Sequence, residues 1–197
     1  MASLHKMERL LRATRSGFTV IELIVVMVVV SIVMALALPR VDITRYRADG
    51  RVQIVRKAVQ QAQRTSLVRQ HDVIVSFDTT RQRMRVALDA NNDGAITAGE
   101  IITWQALSDG GKFLIPSIRV DGSSAPSNPI DASQLKSVSG MPSIVFHRDG
   151  SVSADVTIYF SSGLASPTEF RAVRVLQGTG RTDWFRFNGT VWSPGAL

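Results

Sequence analysis

The 197-residue chain is long enough for one globular domain with an appendage and too short for two ordinary domains. It contains no cysteine, which excludes a disulfide framework, a zinc-thiolate site and a thiol nucleophile. The net charge is +7, of which residues 1–17 supply three (Lys6, Arg9, Arg12 and Arg15 against Glu8), leaving +4, a surplus that speaks to solubility more than to a polyanionic partner.

The first element in chain order is an apolar run. Phe18 to Leu38 holds 21 residues with one formal charge, Glu22. As a helix this run spans roughly 30 Å, the thickness of a bilayer's hydrocarbon core, so the spacing predicts a single membrane crossing. A secretory signal has a shorter apolar region followed by a small-residue cleavage site, and nothing of that kind follows here, so the run reads as retained. An ionisable group inside such a span is costly, which makes Glu22 a functional candidate.

The string Gly17-Phe18-Thr19-Val20-Ile21-Glu22-Leu23, with the unbroken aliphatic stretch that closes at Pro39, resembles the prepilin-peptidase signal of type IV pilins and type II secretion pseudopilins. Val20 departs from it, since leucine is commoner there. The resemblance implies cleavage after Gly17 by prepilin peptidase and N-methylation of the new terminus at Phe18. It further implies that residues 18–38 stay as inner-membrane anchor and filament core, with the C-terminal domain in the periplasm. Glu22, on the same resemblance, pairs with the amino terminus of a neighbouring subunit and sets the register between subunits, because an unpaired carboxylate in a low-dielectric core is penalised. Charge does not supply the orientation. Arg40, Arg45, Arg47, Arg51, Arg56 and Lys57 follow the run and offset the four leader cations.

From Val41 to about Gln70 the pattern stays helical, with Val52, Val55, Val59, Ala62 and Ser66 at spacings of three and four. This predicts an amphipathic continuation over 39–70, one helix of roughly 50 residues bent at Pro39, with Gly50 as a second weak point. After His71 the period becomes two: Val73–Phe77, Met84–Leu88, Ile101–Trp104, Ile144–Phe146, Val156–Phe160, Ala172–Leu176 and Trp184–Phe187 read as strands. Asp149-Gly150 and Asn188-Gly189 are hairpin turn signals, and the Ser-, Pro- and Asn-rich segment Asp121 to Val138 reads as a loop. The expected fold is α+β and pilin-like: leader 1–17, membrane helix 18–38, helical continuation 39–70 and an antiparallel β-rich domain over 71–197.

Between the second and third of these strands, Asp89 to Glu100 fits the calcium-loop pattern D-x-[DN]-x-[DN]-G-x5-E at every fixed position. Asp89, Asn91, Asp93, the carbonyl of Ala95, Thr97 and bidentate Glu100 would supply the oxygens, Gly94 the turn, and Ile96 an anchor to the core. With strands on both flanks, the ion would be structural. The other reading of the same residues is a polar hairpin loop in which Asn92-Asp93-Gly94 is turn chemistry. No other cofactor is implied.

Two later strings, Ile144-Val145-Phe146-His147-Arg148-Asp149-Gly150 and Arg174-Val175-Leu176-Gln177-Gly178-Thr179-Gly180-Arg181, resemble the C-terminal domain of the GspH/FimT family. That resemblance implies a minor pseudopilin of a type II secretion pseudopilus, a structural subunit in a hetero-oligomeric filament with other pilins, built on an inner-membrane assembly platform. The alternative is a FimT-like type IV pilus minor pilin, with or without DNA uptake. Some members take up DNA through a Gly-Arg-x-Arg element, and the matching stretch here is Gly180-Arg181-Thr182-Asp183, its second arginine replaced by a carboxylate. Arg181, Arg186 and Arg174 remain the candidate nucleic-acid contacts. His5, His71 and His147 lack metal-ligand spacing, no nucleophile and base set is recognisable, and the chain does not read as an enzyme.

Overall fold

The computed structural model describes residues 17–37, 43–107, 110–162 and 167–195. Two compact units divide at Asp42 and Ile43. The first contains α1 (Val20–Ala37), 18 residues that are apolar but for Glu22 and Ser31, and the second opens with α2 (Ile43–Arg69). The leader residues 1–16 and the expected bend at Pro39 lie outside the described residues.

The predicted stripe of α2 is the buried one: Val52, Val55, Val59, Ala62 and Ser66 are all fully buried. Gly50 does not interrupt the helix, because an exposed interior glycine costs about 1 kcal/mol against alanine and breaks nothing by itself. The helix ends at Gln70, whose φ of 57° turns the chain left-handed while its N–H still bonds the Ser66 carbonyl at 3.0 Å.

All strand pairings are antiparallel. The first sheet runs in the order β3 (Ile102–Ala106), β2 (Arg83–Asp89), β1 (Asp72–Asp78), β7 (Met141–Phe146), β6 (Lys136–Val138). The second runs β11 (Trp192–Pro194), β10 (Thr182–Phe187), β9 (Arg171–Val175), β8 (Val156–Ser161), β4 (Lys112–Phe113), and β5 (Ile130–Ala132) also pairs with β8. One core joins α2 to both sheets, with Val55 and Val59 packed in the same cluster as Phe77, Met84, Phe146, Phe160 and Trp184.

Two expectations need correction. The segment Asp121 to Val138 is not a plain loop, because β5 and β6 both lie within it. Each is three residues long, too short for a period to show, and each is fixed by a buried apolar residue, Ile130 or Val138. Asp149-Gly150 does form a turn, with the Gly150 N–H on the His147 carbonyl at 2.8 Å, but it closes only the Phe146–Val152 bridge. The strands on either side, β7 and β8, belong to different sheets. Asn188-Gly189 does connect the β10–β11 hairpin, with the Asn188 carboxamide oxygen accepting the N–H groups of Thr190 and Val191.

The two strings that carry the second resemblance meet in space. Gln63 on α2 donates its amide to the Gly150 carbonyl (3.0 Å) and to the Thr179 carbonyl (2.8 Å). A Cβ on Gly180 would stand 2.7 Å from the Gly150 carbonyl oxygen, and φ there is +63°, so both space and backbone require glycine.

Candidate functional site

Gly17, Phe18 and Thr19 precede α1 as extended chain, and Phe18 is 82% exposed. The helix begins where it does because Thr19 caps it: the Glu22 N–H donates to Thr19 Oγ1 (3.2 Å) and the Leu23 N–H to the Thr19 carbonyl (3.2 Å). Glu22 therefore stands in the first turn, where the helix dipole favours a carboxylate. Thr19 is legible in the sequence as this cap, since a threonine three positions before a glutamate is the spacing of a capping box. Along the rest of α1 the polar Ser31 returns its hydroxyl to the Met27 carbonyl at 2.7 Å, so that its proton is satisfied within the helix.

The described α1 side chains are exposed throughout, and a helix apolar all round needs a membrane or a protein core around it. Among the described residues no helix is long and apolar enough to cross a membrane. Eighteen residues of α1 reach about 27 Å, slightly less than a hydrocarbon core. The predicted span 18–38 additionally counts Phe18 and Thr19, which precede the helix, and Leu38, which lies outside the described residues.

The Asp89–Glu100 loop joins β2 to β3, and its acidic residues turn inward on the loop's own backbone. The fully buried Asp89 carboxylate accepts the Asp93 N–H (3.1 Å) and the Gly94 N–H (2.7 Å). Asp93 accepts from the Ala95 N–H (2.8 Å) and the Asn91 amide (2.8 Å), and Glu100 from the N–H groups of Ala90 (3.1 Å) and Thr97 (2.9 Å). Ile96 packs on a small cluster of Ile74, Val138 and Val145 and not on the main core. Among the described residues no group of three or more His, Cys, Asp or Glu side chains converges to hold a metal ion. Equally, none of the described Lys or Arg side chains pairs with Asp89, Asp93 or Glu100.

The three candidate arginines do not form one face. Arg174 and Asp183 are cross-strand partners, and the Arg174 guanidinium lies 5.3 Å from the Phe185 ring centre. Arg186 falls on the opposite side of β10, where it bonds Asp49 of α2 at 2.6 Å. Arg181 is held by both oxygens of Asp183 at 3.0 Å, and this pairing raises its already high pKa. The carboxylate at the fourth position of Gly180-Arg181-Thr182-Asp183 is thus the partner of the arginine at its second. Trp184 is buried in the core. The two described histidines make ordinary contacts, His147 with Asp72 (3.0 Å) and His71 with Asn92 (3.5 Å).

Comparison with known proteins bears on the N-terminal segment. Residues 12–38 match the family described as the prokaryotic N-terminal methylation motif. A search of curated proteins finds no match. Two solved structures of the minor pseudopilin EpsH from the type II secretion system of Vibrio cholerae are similar at 15% and 14% identity. They cover 69% and 78% of this chain and 94% and 98% of theirs, with TM-scores of 0.46 and 0.48. The chain thus carries a prokaryotic N-terminal methylation motif over residues 12–38, ahead of an α+β domain of one helix packed on antiparallel sheets.

Proposed function

We propose that this chain is a minor pseudopilin, a structural subunit of a type II secretion pseudopilus that supports protein export across the outer membrane. The observation that carries the reading is the methylation motif over 12–38, placed so that Phe18 opens an exposed terminus ahead of an apolar helix whose one charge is Glu22. In this role prepilin peptidase cuts after Gly17, Phe18 is methylated, residues 18–38 anchor the chain in the inner membrane and the domain lies in the periplasm. The subunit acts by assembling with other pilin-like subunits on the inner-membrane platform, not by catalysis. The pairing of Arg181 with Asp183 favours this role over a DNA-capturing type IV pilus subunit.

Mass analysis of the mature N terminus tests the processing. The expected first residue is N-methylphenylalanine at Phe18, and Gly17→Val is expected to keep all 17 leader residues; a correctly shortened, methylated Gly17→Val product would overturn it. Deleting the gene is expected to stop export of type II substrates and leave pilus retraction intact. The reverse pattern would move the chain to the type IV pilus.

We also propose a structural calcium ion in the Asp89–Glu100 loop. The support is its complete consensus and three carboxylates with no cationic side chain paired to them among the described residues. Each carboxylate oxygen accepts one N–H and retains a lone pair for an ion. With a dissociation constant in the range of extracellular modules, millimolar calcium is expected to add about 1 kcal/mol, a rise in melting temperature of about 2–4 °C over a chelator control. Identical melts would rule out the ion.

A further inference from the structure

Among the described residues the strand β3 (Ile102–Ala106) ends the first sheet and pairs only with β2. The Leu88 N–H bonds the Ile101 carbonyl (3.0 Å) and the Leu107 N–H bonds the Gln82 carbonyl (3.1 Å). Because an antiparallel ladder alternates, Thr103 and Gln105 also bond inward, and the N–H and C=O groups of Ile102, Trp104 and Ala106 face the free edge. Among the described residues, the neighbour of these groups is the Gln105 amide, 3.5 Å from the Ala106 carbonyl, a distance too long for a strong bond. Protein edges are normally blunted by Lys, Pro, a bulge or a covering segment. β3 reads Ile-Thr-Trp-Gln-Ala, and every residue of it is exposed.

Beside this edge, a cavity of about 430 Å³ opens between α2 and the sheet. Ile54 and Ala58 of α2 and Val86 and Leu88 of β2 form its apolar floor, and Lys57 and Arg69 stand among its described lining residues, which include no Asp or Glu. Among the described residues neither cation pairs with a carboxylate. Lys57 and Arg69 are 12 positions apart on one helix, about 18 Å. A strand the length of β3 covers about the same distance.

We propose that the free edge of β3 and this groove together bind an extended, acidic and apolar peptide segment of a partner protein as an added strand. The open row of backbone groups requires an extended chain, the floor takes apolar side chains on alternate positions, and Lys57 and Arg69 take carboxylates at its two ends. A second copy of this chain fits less well. The run Ile101 to Leu107 carries no carboxylate of its own, and the one that precedes it, Glu100, is already turned onto the N–H groups of Ala90 and Thr97.

The full chain in detergent micelles, titrated with the capped peptide Glu-Thr-Val-Thr-Val-Thr-Glu, tests this, with amide exchange at Ile102, Trp104 and Ala106 as readout. At saturation these amides are expected to exchange at least about tenfold more slowly, while Thr103 and Gln105 are slow throughout. Lys57→Glu, Arg69→Glu, or glutamine in place of both peptide glutamates should each weaken binding by about tenfold. Ile102→Pro removes an outward N–H without touching the β2 ladder and should abolish binding with the melting temperature unchanged. No binding at millimolar peptide, equal affinity for the glutamate and glutamine peptides, or concentration-dependent protection of the edge without peptide would each overturn the proposal, the last in favour of self-pairing.

Discussion

Glu22→Ala is expected to give a subunit that is cleaved, methylated and inserted normally but enters filaments at least about tenfold less than the parent. The argument begins with environment. Glu22 is the one formal charge in the apolar run, and in an assembled core it would be surrounded by side chains such as Ile21, Leu23 and Val25. A carboxylate there is tolerable only when paired, and loss of one partner leaves the other charge, a neighbouring amino terminus, buried and unanswered. Even 1.4 kcal/mol per contact is tenfold in each docking equilibrium. The structure adds a complication, since Glu22 also stands in the first turn of α1, and its own N–H is capped by Thr19. A weakened helix start could imitate a lost pair. Thr19→Ala separates the two, because it removes the cap, worth about 1 kcal/mol, and leaves the charge in place. Glu22→Gln keeps size and helix start and removes only the charge. The pairing role requires Glu22→Gln to resemble Glu22→Ala, and Thr19→Ala to assemble nearly normally. If Thr19→Ala fails as badly as Glu22→Ala, helix initiation is the role of this turn.

The parts of this protein that sequence disclosed are those written in local pattern. The buried stripe from Val52 to Ser66 was legible because its three- and four-residue spacing needs no knowledge of what packs on it. The longer strands were legible by their β-branched and aromatic runs. Even so, β8 is buried on both faces and shows no alternation, so its place between β9 on one edge and β4 and β5 on the other was hidden. Turn chemistry was correct at Asp149-Gly150, but which strand follows into which sheet is a long-range outcome. The buried polar set on β1, β2 and β7 was also invisible: Arg85 donates to Ser76 and to the Val138 carbonyl, and Ser143 donates to Ser76. Polar residues on a strand ordinarily read as a solvated face. At the N terminus Gly17, Phe18 and Glu22 stood out because a processing signal is a contiguous string. The meeting of Gly150, Thr179 and Gln63 carries no such signal, since each contact spans 87 or more positions.

A further long-range contact, at Asp49, sets the largest stability effect expected in the domain. Asp49, on the first turns of α2, receives Arg171 Nε from β9 at 2.8 Å and Arg186 Nη2 from β10 at 2.6 Å, the latter across 137 positions. The two arginines differ in burial. The Arg171 side chain is 3% exposed, with its Nη1 on the carbonyls of Thr168 and Phe170, whereas that of Arg186 is 45% exposed. Asp49→Ala leaves the Arg171 charge buried without a counter-ion, and removing one partner of a buried pair costs about 3–5 kcal/mol; because the Asp49 side chain is 28% exposed and water can replace part of it, about 3 kcal/mol is expected. Arg186→Ala removes only the solvated half of the clamp and is expected to cost less than about 1 kcal/mol. Chemical denaturation of the three proteins decides the point. Equal losses for Asp49→Ala and Arg186→Ala would mean that water already compensates Arg171, and that the Asp49–Arg171 pair adds little to the hold of α2 on the second sheet.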